Sequence, residues 1–205
     1  MKCAIFASGG GSNFQALIDR KLSGDLHLDF AVCVGNNSSA MAFERARKHA
    51  IPTVHMAPSH FSDENDYASS LLKTLEDYKV ELIVLAGYMK KVPGKILASF
   101  ADRVVNIHPA LLPAFGGKGL YGEKVHQAVL DYGAKVSGVT VHFVDEEYDH
   151  GPIIFQDTVK VLDGDTAATL GKRVLALEHA SYWKALEAIA SGAIVIRGRR
   201  VHGAV

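Results

Sequence analysis

The sequence predicts an α/β fold, a Rossmann-like, mostly parallel sheet with flanking helices. Three observations point to it. Strand-like apolar runs alternate with helix-spaced patterns through the first half of the 205-residue chain. A glycine-rich turn, Ser8-Gly9-Gly10-Gly11-Ser12-Asn13, joins the first such run to the first helical pattern. Leu82–Ala86 is apolar at every position, as a strand covered on both faces requires.

Taken in order, Lys2–Ala7 reads as a strand and Asn13–Lys21 as a helix with Phe14, Leu17 and Ile18 on one face. Leu28–Gly35 is the second strand, Met41–Ala50 the second helix, stopped by Ile51-Pro52, and Thr53–His55 a short third strand. Asp63–Tyr78 is helical, with Tyr67, Leu71, Leu72 and Leu75 at helical spacing and Asp63 as the N-cap. A short helix follows Pro93, and Val104–Ile107 is the fifth strand. The second half has a different texture. A Gly- and Pro-rich loop over His108–Gly119 leads to a helix near Glu123–Asp131. Lys135–Phe143 and Ile153–Val161 read as strands separated by an acidic loop. Thr166–Ala190 is a long helix with Asp165 as a candidate cap, and Ala193–Ile196 with Arg199–Val201 reads as a hairpin around Gly198. No repeat or flexible linker interrupts this series, so one domain is expected over residues 1–205.

Composition narrows the partners. The chain carries 22 basic and 22 acidic residues, for a formal net charge of zero. Such a balance predicts no broad cationic surface, which disfavours nucleic acid and anionic membranes as partners while leaving room for one phosphate. No apolar stretch reaches transmembrane length, and the chain opens directly into a strand-like run without a signal pattern, so the cytoplasm is the expected location. Cys3 and Cys33 each sit in an apolar run and are expected as buried thiols on neighbouring strands. Nothing in the sequence separates a monomer from a homodimer.

The glycine turn admits two readings: a phosphate site, or a tight turn with an N-cap. Glycines let the backbone approach an anion, and the start of the following helix supplies free N–H groups and a positive dipole end. A dinucleotide fingerprint would need a glycine where Phe14 stands and an acid where Asn36-Asn37 stands, which disfavours a nicotinamide dehydrogenase. No Gly-Lys-Ser/Thr follows, which disfavours a P-loop. A lone phosphate monoester fits better.

Asn106 and His108 fall two residues apart at the carboxyl end of the fifth strand, so their side chains share one side, at the end where open α/β sheets bind ligands. The loop Asp145-Glu146-Glu147-Tyr148-Asp149-His150-Gly151-Pro152 offers carboxylates that could fold back onto His108. An amide donor, an imidazole and a carboxylate suit acyl-type transfer, in which a developing oxyanion needs donors. The alternatives are a structural histidine before a proline and a solvated acidic loop. His108, His126 and His142 lack compact ligand spacing, so no metal is expected.

Asn106-Ile107-His108-Pro109-Ala110-Leu111-Leu112-Pro113 resembles the signature of the folate-dependent formyltransferases, as do the glycine turn and Leu85-Ala86-Gly87-Tyr88-Met89. The likeness runs from Met1 to about Ala190 and is nearest to the branch whose acceptor is glycinamide ribonucleotide. It implies the formyltransferase fold, 10-formyltetrahydrofolate as co-substrate, and formyl transfer to the amine of glycinamide ribonucleotide in de novo purine synthesis. It also implies a phosphate-binding half over about 1–105 and a catalytic, folate-binding half over about 106–205. Asn106 and His108 match the family's catalytic pair and Asp149 the aspartate that pairs with the histidine, with Asp145 and Glu146 as weaker candidates. Gly11, Ser12 and Asn13 match the phosphate turn; Gly87 and Glu178 match substrate contacts; Met89, Lys90, Lys91, Val92 and Asn106 match the folate contacts. Pro113 matches a conformationally special proline that follows a cis bond.

The chain departs from the family in three places. Glu64 stands where an arginine often contacts the folate, so that contact is either lost or taken over by Lys90 or Lys91. The loop Phe115–Gly122, with Lys118 at its centre, is extended, and His150 replaces a glycine. Two other readings remain. One is a formyltransferase or hydrolase with a different acceptor, expected to carry an added tRNA-binding or regulatory domain. The other is a noncatalytic nucleotide-binding module, which would not explain Asn106, His108 and Asp149 together.

Overall fold

A computed structural model describes residues 1–203; Ala204 and Val205, the end of the expected domain, lie outside the described residues. The fold is the α/β, Rossmann-like, mostly parallel sheet with flanking helices that the alternation predicts. The chain divides into two compact units between Val105 and Asn106.

The first unit contains β1 (Lys2–Ala7), α1 (Ser12–Ser23), β2 (Asp29–Gly35), α2 (Met41–Lys48), β3 (Thr53–His55), α3 (Glu64–Asp77), β4 (Leu82–Leu85) and α4 (Gly94–Ser99). Its strands lie in the order β3-β2-β1-β4, every pairing parallel. Cys3 to Phe6 of β1 and Leu82 to Val84 of β4 are wholly inaccessible, which explains their unbroken apolar sequence. The thiols occupy the neighbouring strands β1 and β2, and burial pushes Cys33 up to about 12 and Cys3 higher still, so both stay protonated and inert. Asp63 caps α3 as expected, its carboxylate accepting from the Asp66 N–H at 2.8 Å. Helix α2 stops two residues before the predicted Ala50. That residue is left-handed at φ 55, and the chain turns back so that the Ile51 N–H reaches the Ala46 carbonyl at 2.9 Å. A single turn of 3-10 helix at Pro58–His60 was not foreseen in the sequence pattern.

Strand β5 (Val104–His108) carries the division between the units. The second unit continues with α5 (Glu123–Tyr132), β6 (Val136–Phe143), β7 (Ile153–Lys160), α6 (Ala167–Ala190), β8 (Ile194–Arg197) and β9 (Arg200–Gly203). β6 and β7 pair antiparallel, and β8 and β9 form the predicted hairpin. β6 is buried from Ser137 to Phe143, whereas β7 alternates between half-buried and exposed residues. The cap of α6 differs from expectation. Thr166, not Asp165, holds the N-cap, in a reciprocal box with Thr169. Asp165 is committed elsewhere: it accepts from the Leu162 N–H and the Thr169 hydroxyl and pairs with Arg173, two turns into the helix. These hydrogen bonds, led by that from Arg173, hold its carboxyl at about 2.

Candidate active site

In the first unit the glycine turn lies between the end of β1 and the start of α1. Gly11 is left-handed at φ 66, and a Cβ there would lie 2.8 Å from that of Ala42, so the chain needs glycine on both grounds. The carbonyl of Gly9 accepts from the Ala42 N–H at 3.1 Å, and that of Gly10 from Arg45 Nε at 2.9 Å. With those carbonyls tied back, the turn presents the N-terminal N–H groups of α1, which no earlier turn of helix can satisfy. The Arg45 guanidinium, also bonded to Gln15 Oε1 at 3.1 Å, adds positive charge beside the turn. Gly11 itself is the N-cap of α1, and no side chain caps the helix.

The Gly87–Met89 segment meets this turn. The Ser8 N–H donates to the Gly87 carbonyl at 3.1 Å, and the Met89 N–H to Ser8 Oγ at 2.8 Å. Gly87 is left-handed at φ 77. Met89, Lys90 and Lys91 are exposed or half-exposed beyond it, and Val92 is buried. Tyr88 turns inward, its hydroxyl 2.9 Å from that of Tyr67 and its ring against Phe6. Glu64 is the first residue of α3.

In the second unit Asn106, His108 and Asp149 come together, and a fourth residue, His142, joins them. His108 is buried, with Nδ1 3.5 Å from Asp149 Oδ2, an ion-pair distance, and Nε2 donating to the Phe115 carbonyl at 2.9 Å. Both ring nitrogens therefore face oxygens that only accept, an arrangement the doubly protonated ring satisfies at both. Asp149 Oδ2 also accepts the Gly117 N–H at 2.9 Å. The extended loop thus touches both members of the pair, by a carbonyl on the imidazole and an amide on the carboxylate.

His142 is the functional residue that pattern reading missed. It lies buried on β6, and its Nδ1 is 2.7 Å from the Phe143 carbonyl, so Nδ1 carries the proton. Burial lowers its pKa, which keeps the ring neutral and leaves Nε2 as an acceptor. The Asn106 carboxamide donates to it at 3.2 Å. That bond settles which way the amide faces and leaves Asn106 one N–H and its oxygen for another partner. Asp149 Oδ1 lies 3.7 Å from the same nitrogen. A histidine inside the apolar run Val139–Phe143 was the available signal. Thr140 and Gln156, also overlooked, hold the corner at the cis Leu112–Pro113 bond. Thr140 Oγ1 accepts the Leu112 N–H and donates to the Ala110 carbonyl, and Gln156 donates to the Leu112 carbonyl at 2.9 Å.

Glu178 is buried on α6 and lines a cavity of about 360 Å³ with Pro109, Gly122, Glu123, His126 and Gly171. The cavity therefore begins one residue beyond His108. Asp145 and Glu146 do not reach His108; Asp145 instead pairs with His150 at 2.8 Å. Among the described residues no group of three or more His, Cys, Asp and Glu is placed to hold a metal.

An α/β fold with an amide, an imidazole and a carboxylate converging at a strand end defines a class of acyl-group transfer proteins. Residues 1–186 match the family model described as formyl transferase, and the chain belongs to that family. It is 44% identical over 196 residues to a chloroplastic phosphoribosylglycinamide formyltransferase of Vigna unguiculata, spanning 96% of this chain and 63% of that protein. It is 37% identical over 181 residues to the phosphoribosylglycinamide formyltransferase of Bacillus subtilis, spanning 88% and 90%. Glycinamide ribonucleotide transformylase 1 from Symbiobacterium toebii superposes with a TM-score of 0.94 at 40% identity, over all of this chain and 94% of that one. The chain thus spans slightly under two thirds of the length of that Vigna protein.

Proposed function

We propose that this chain transfers the formyl group of 10-formyltetrahydrofolate to the amine of glycinamide ribonucleotide, a step of purine biosynthesis. The convergence of Asn106, His108 and Asp149 carries this reading. The substrate amine attacks the formyl carbon, forming a C–N bond and placing charge on the formyl oxygen. The free N–H of Asn106 and the His108 imidazolium, once its Phe115 contact gives way, stabilise that charge. Asp149 compensates the charge on His108 and helps pass a proton from the amine to the folate nitrogen as the C–N bond to it breaks. Fixing both reactants in place supplies roughly 7–11 kcal/mol where orientation is good.

In this reading the turn Gly11-Ser12-Asn13 of the first unit takes a phosphate, with Gly87 as a further substrate residue and Met89, Lys90, Lys91 and Val92 as folate residues of that unit. In the second unit Glu178 is the substrate residue and Asn106 the folate residue, and the reaction calls for no resident metal. The likeness to phosphoribosylglycinamide formyltransferases supports this acceptor over a charged tRNA or water. Both partners are small molecules. Among the described residues no helix is long and apolar enough to cross a membrane, and two unpaired buried thiols support a reducing compartment such as the cytoplasm. The test is a formyl-transfer assay with glycinamide ribonucleotide beside other amine acceptors and water. Turnover confined to glycinamide ribonucleotide is expected; equal or faster reaction with another acceptor would refute the assignment.

A further inference from the structure

The second unit holds Asp149 in a conformation that needs explaining. Its φ is 54, in the left-handed region that costs a residue with a Cβ about 1 kcal/mol or more. Two devices flank it. Downstream, Gly151 packs so tightly that a Cβ would lie 1.9 Å from the Phe143 carbonyl oxygen. Between them, His150 is gripped by Arg199, which stands with Gly198 at the turn of the β8–β9 hairpin. One guanidinium nitrogen donates to the His150 carbonyl, and the other lies over the imidazole ring, 3.0 Å from Nε2 and 3.4 Å from Nδ1. His150 Nδ1 in turn donates to Asp145 Oδ2 at 2.8 Å, which holds the ring flat beneath the guanidinium. Asp145 also accepts the Glu147 N–H at 3.0 Å. A forked cation thus clasps backbone and ring of the residue that follows the active-site aspartate.

We propose that Arg199 is a positioning residue for formyl transfer, bolting the 145–151 loop through His150 so that Asp149 keeps its carboxylate between His108 and His142. The bolt stands away from the reacting groups and acts only through Asp149. It needs the two-pronged geometry of guanidinium, which one ammonium cannot reproduce. His150 supplies the ring face against which the second prong lies.

The proposal rests on the formyl-transfer reading, and its test separates the two. Arg199→Ala, Arg199→Lys and, as reference, Asp149→Asn are assayed for kcat, both KM values and the pH–rate profile. Backbone amide exchange over residues 145–151 is followed in parallel. Arg199→Ala is expected to lower kcat about tenfold, below the hundredfold that an ångström of misplacement can cost. Both KM values should hold within about twofold, and the pH–rate profile should change shape in the direction Asp149→Asn changes it. Amide exchange over the loop should quicken, millimolar guanidinium should restore part of the lost rate where sodium chloride at equal ionic strength does not, and Arg199→Lys should fall between. Unchanged kcat and pH profile in Arg199→Ala overturns the proposal, as does a loss matched by a lower folded fraction and untouched by guanidinium. Should the natural chain transfer no formyl group, the functional reading fails. Loop exchange then decides the bolt alone, with unaltered exchange overturning it.

Discussion

The glycine turn of the first unit and the Asn106–His108–Asp149 cluster of the second both sit at the end of a buried strand, yet they are made of different material. The turn is a backbone device. Gly11 is left-handed and pressed against Ala42, the Gly9 and Gly10 carbonyls are tied to Ala42 and Arg45, and the groups offered to a ligand are N–H dipoles. The cluster is a side-chain device. Its atoms point as they do because His142 accepts one N–H of Asn106, and because Phe115 and Gly117 touch His108 and Asp149. A backbone device is suited to hold a fixed charge and a side-chain device to meet a charge that appears only during reaction. The first should therefore govern binding and the second turnover.

The sharpest break of that comparison comes from Asn106→Ala. Removing an oxyanion donor costs about 2.7–4 kcal/mol, so kcat should fall on the order of a hundredfold or more with the KM for ribonucleotide little moved. A rise in KM at constant kcat would place Asn106 among binding groups instead. His142→Phe tests whether the second unit's side chains act through one another. It leaves an Asn106 N–H without its acceptor, which should cost about tenfold in kcat while circular dichroism stays native; unchanged kcat would show that the amide needs no support. Gly11→Ala probes the backbone device. The left-handed position and the Ala42 contact should lower stability by about 1–2 kcal/mol and raise the KM for ribonucleotide several-fold at nearly constant kcat; an unaltered KM would remove the turn from phosphate binding.

The smallest effect lies away from both sites. Asp165, its carboxyl held at about 2 chiefly by Arg173, stabilises the native state fully above the unfolded aspartate value of about 3.9. That contribution is lost as pH falls toward 2. Between pH 4 and 2 the melting temperature of the natural chain should drop more steeply than that of Asp165→Asn, and parallel slopes would contradict the assignment.

Much of this was legible in the sequence, for identifiable reasons. The strands of the first unit announce themselves because Cys3–Phe6 and Leu82–Val84 are apolar on both faces. The alternation of β5 placed Asn106 and His108 together, and the acidic loop offered Asp149. What the pattern did not carry depends on contacts distant in the chain. His142 orients Asn106 from 36 residues away, and Arg199 reaches His150 from 49. Gln156 holds the Leu112 carbonyl from 44. The cap of α6 moved from Asp165 to Thr166 because the aspartate was drawn to Arg173, a competition that spacing does not display. Asp145 was drawn to His150 in the same way.

The central claim is that a buried imidazole facing acceptors at both nitrogens drives transfer of a formyl group. Turnover of 10-formyltetrahydrofolate with glycinamide ribonucleotide by the natural chain and by purified, folded His108→Ala tests it most directly. Robust turnover by the former and a loss of roughly a hundredfold or more in the latter, with the KM for ribonucleotide preserved, is the predicted result; near-equal rates in the two proteins would contradict it.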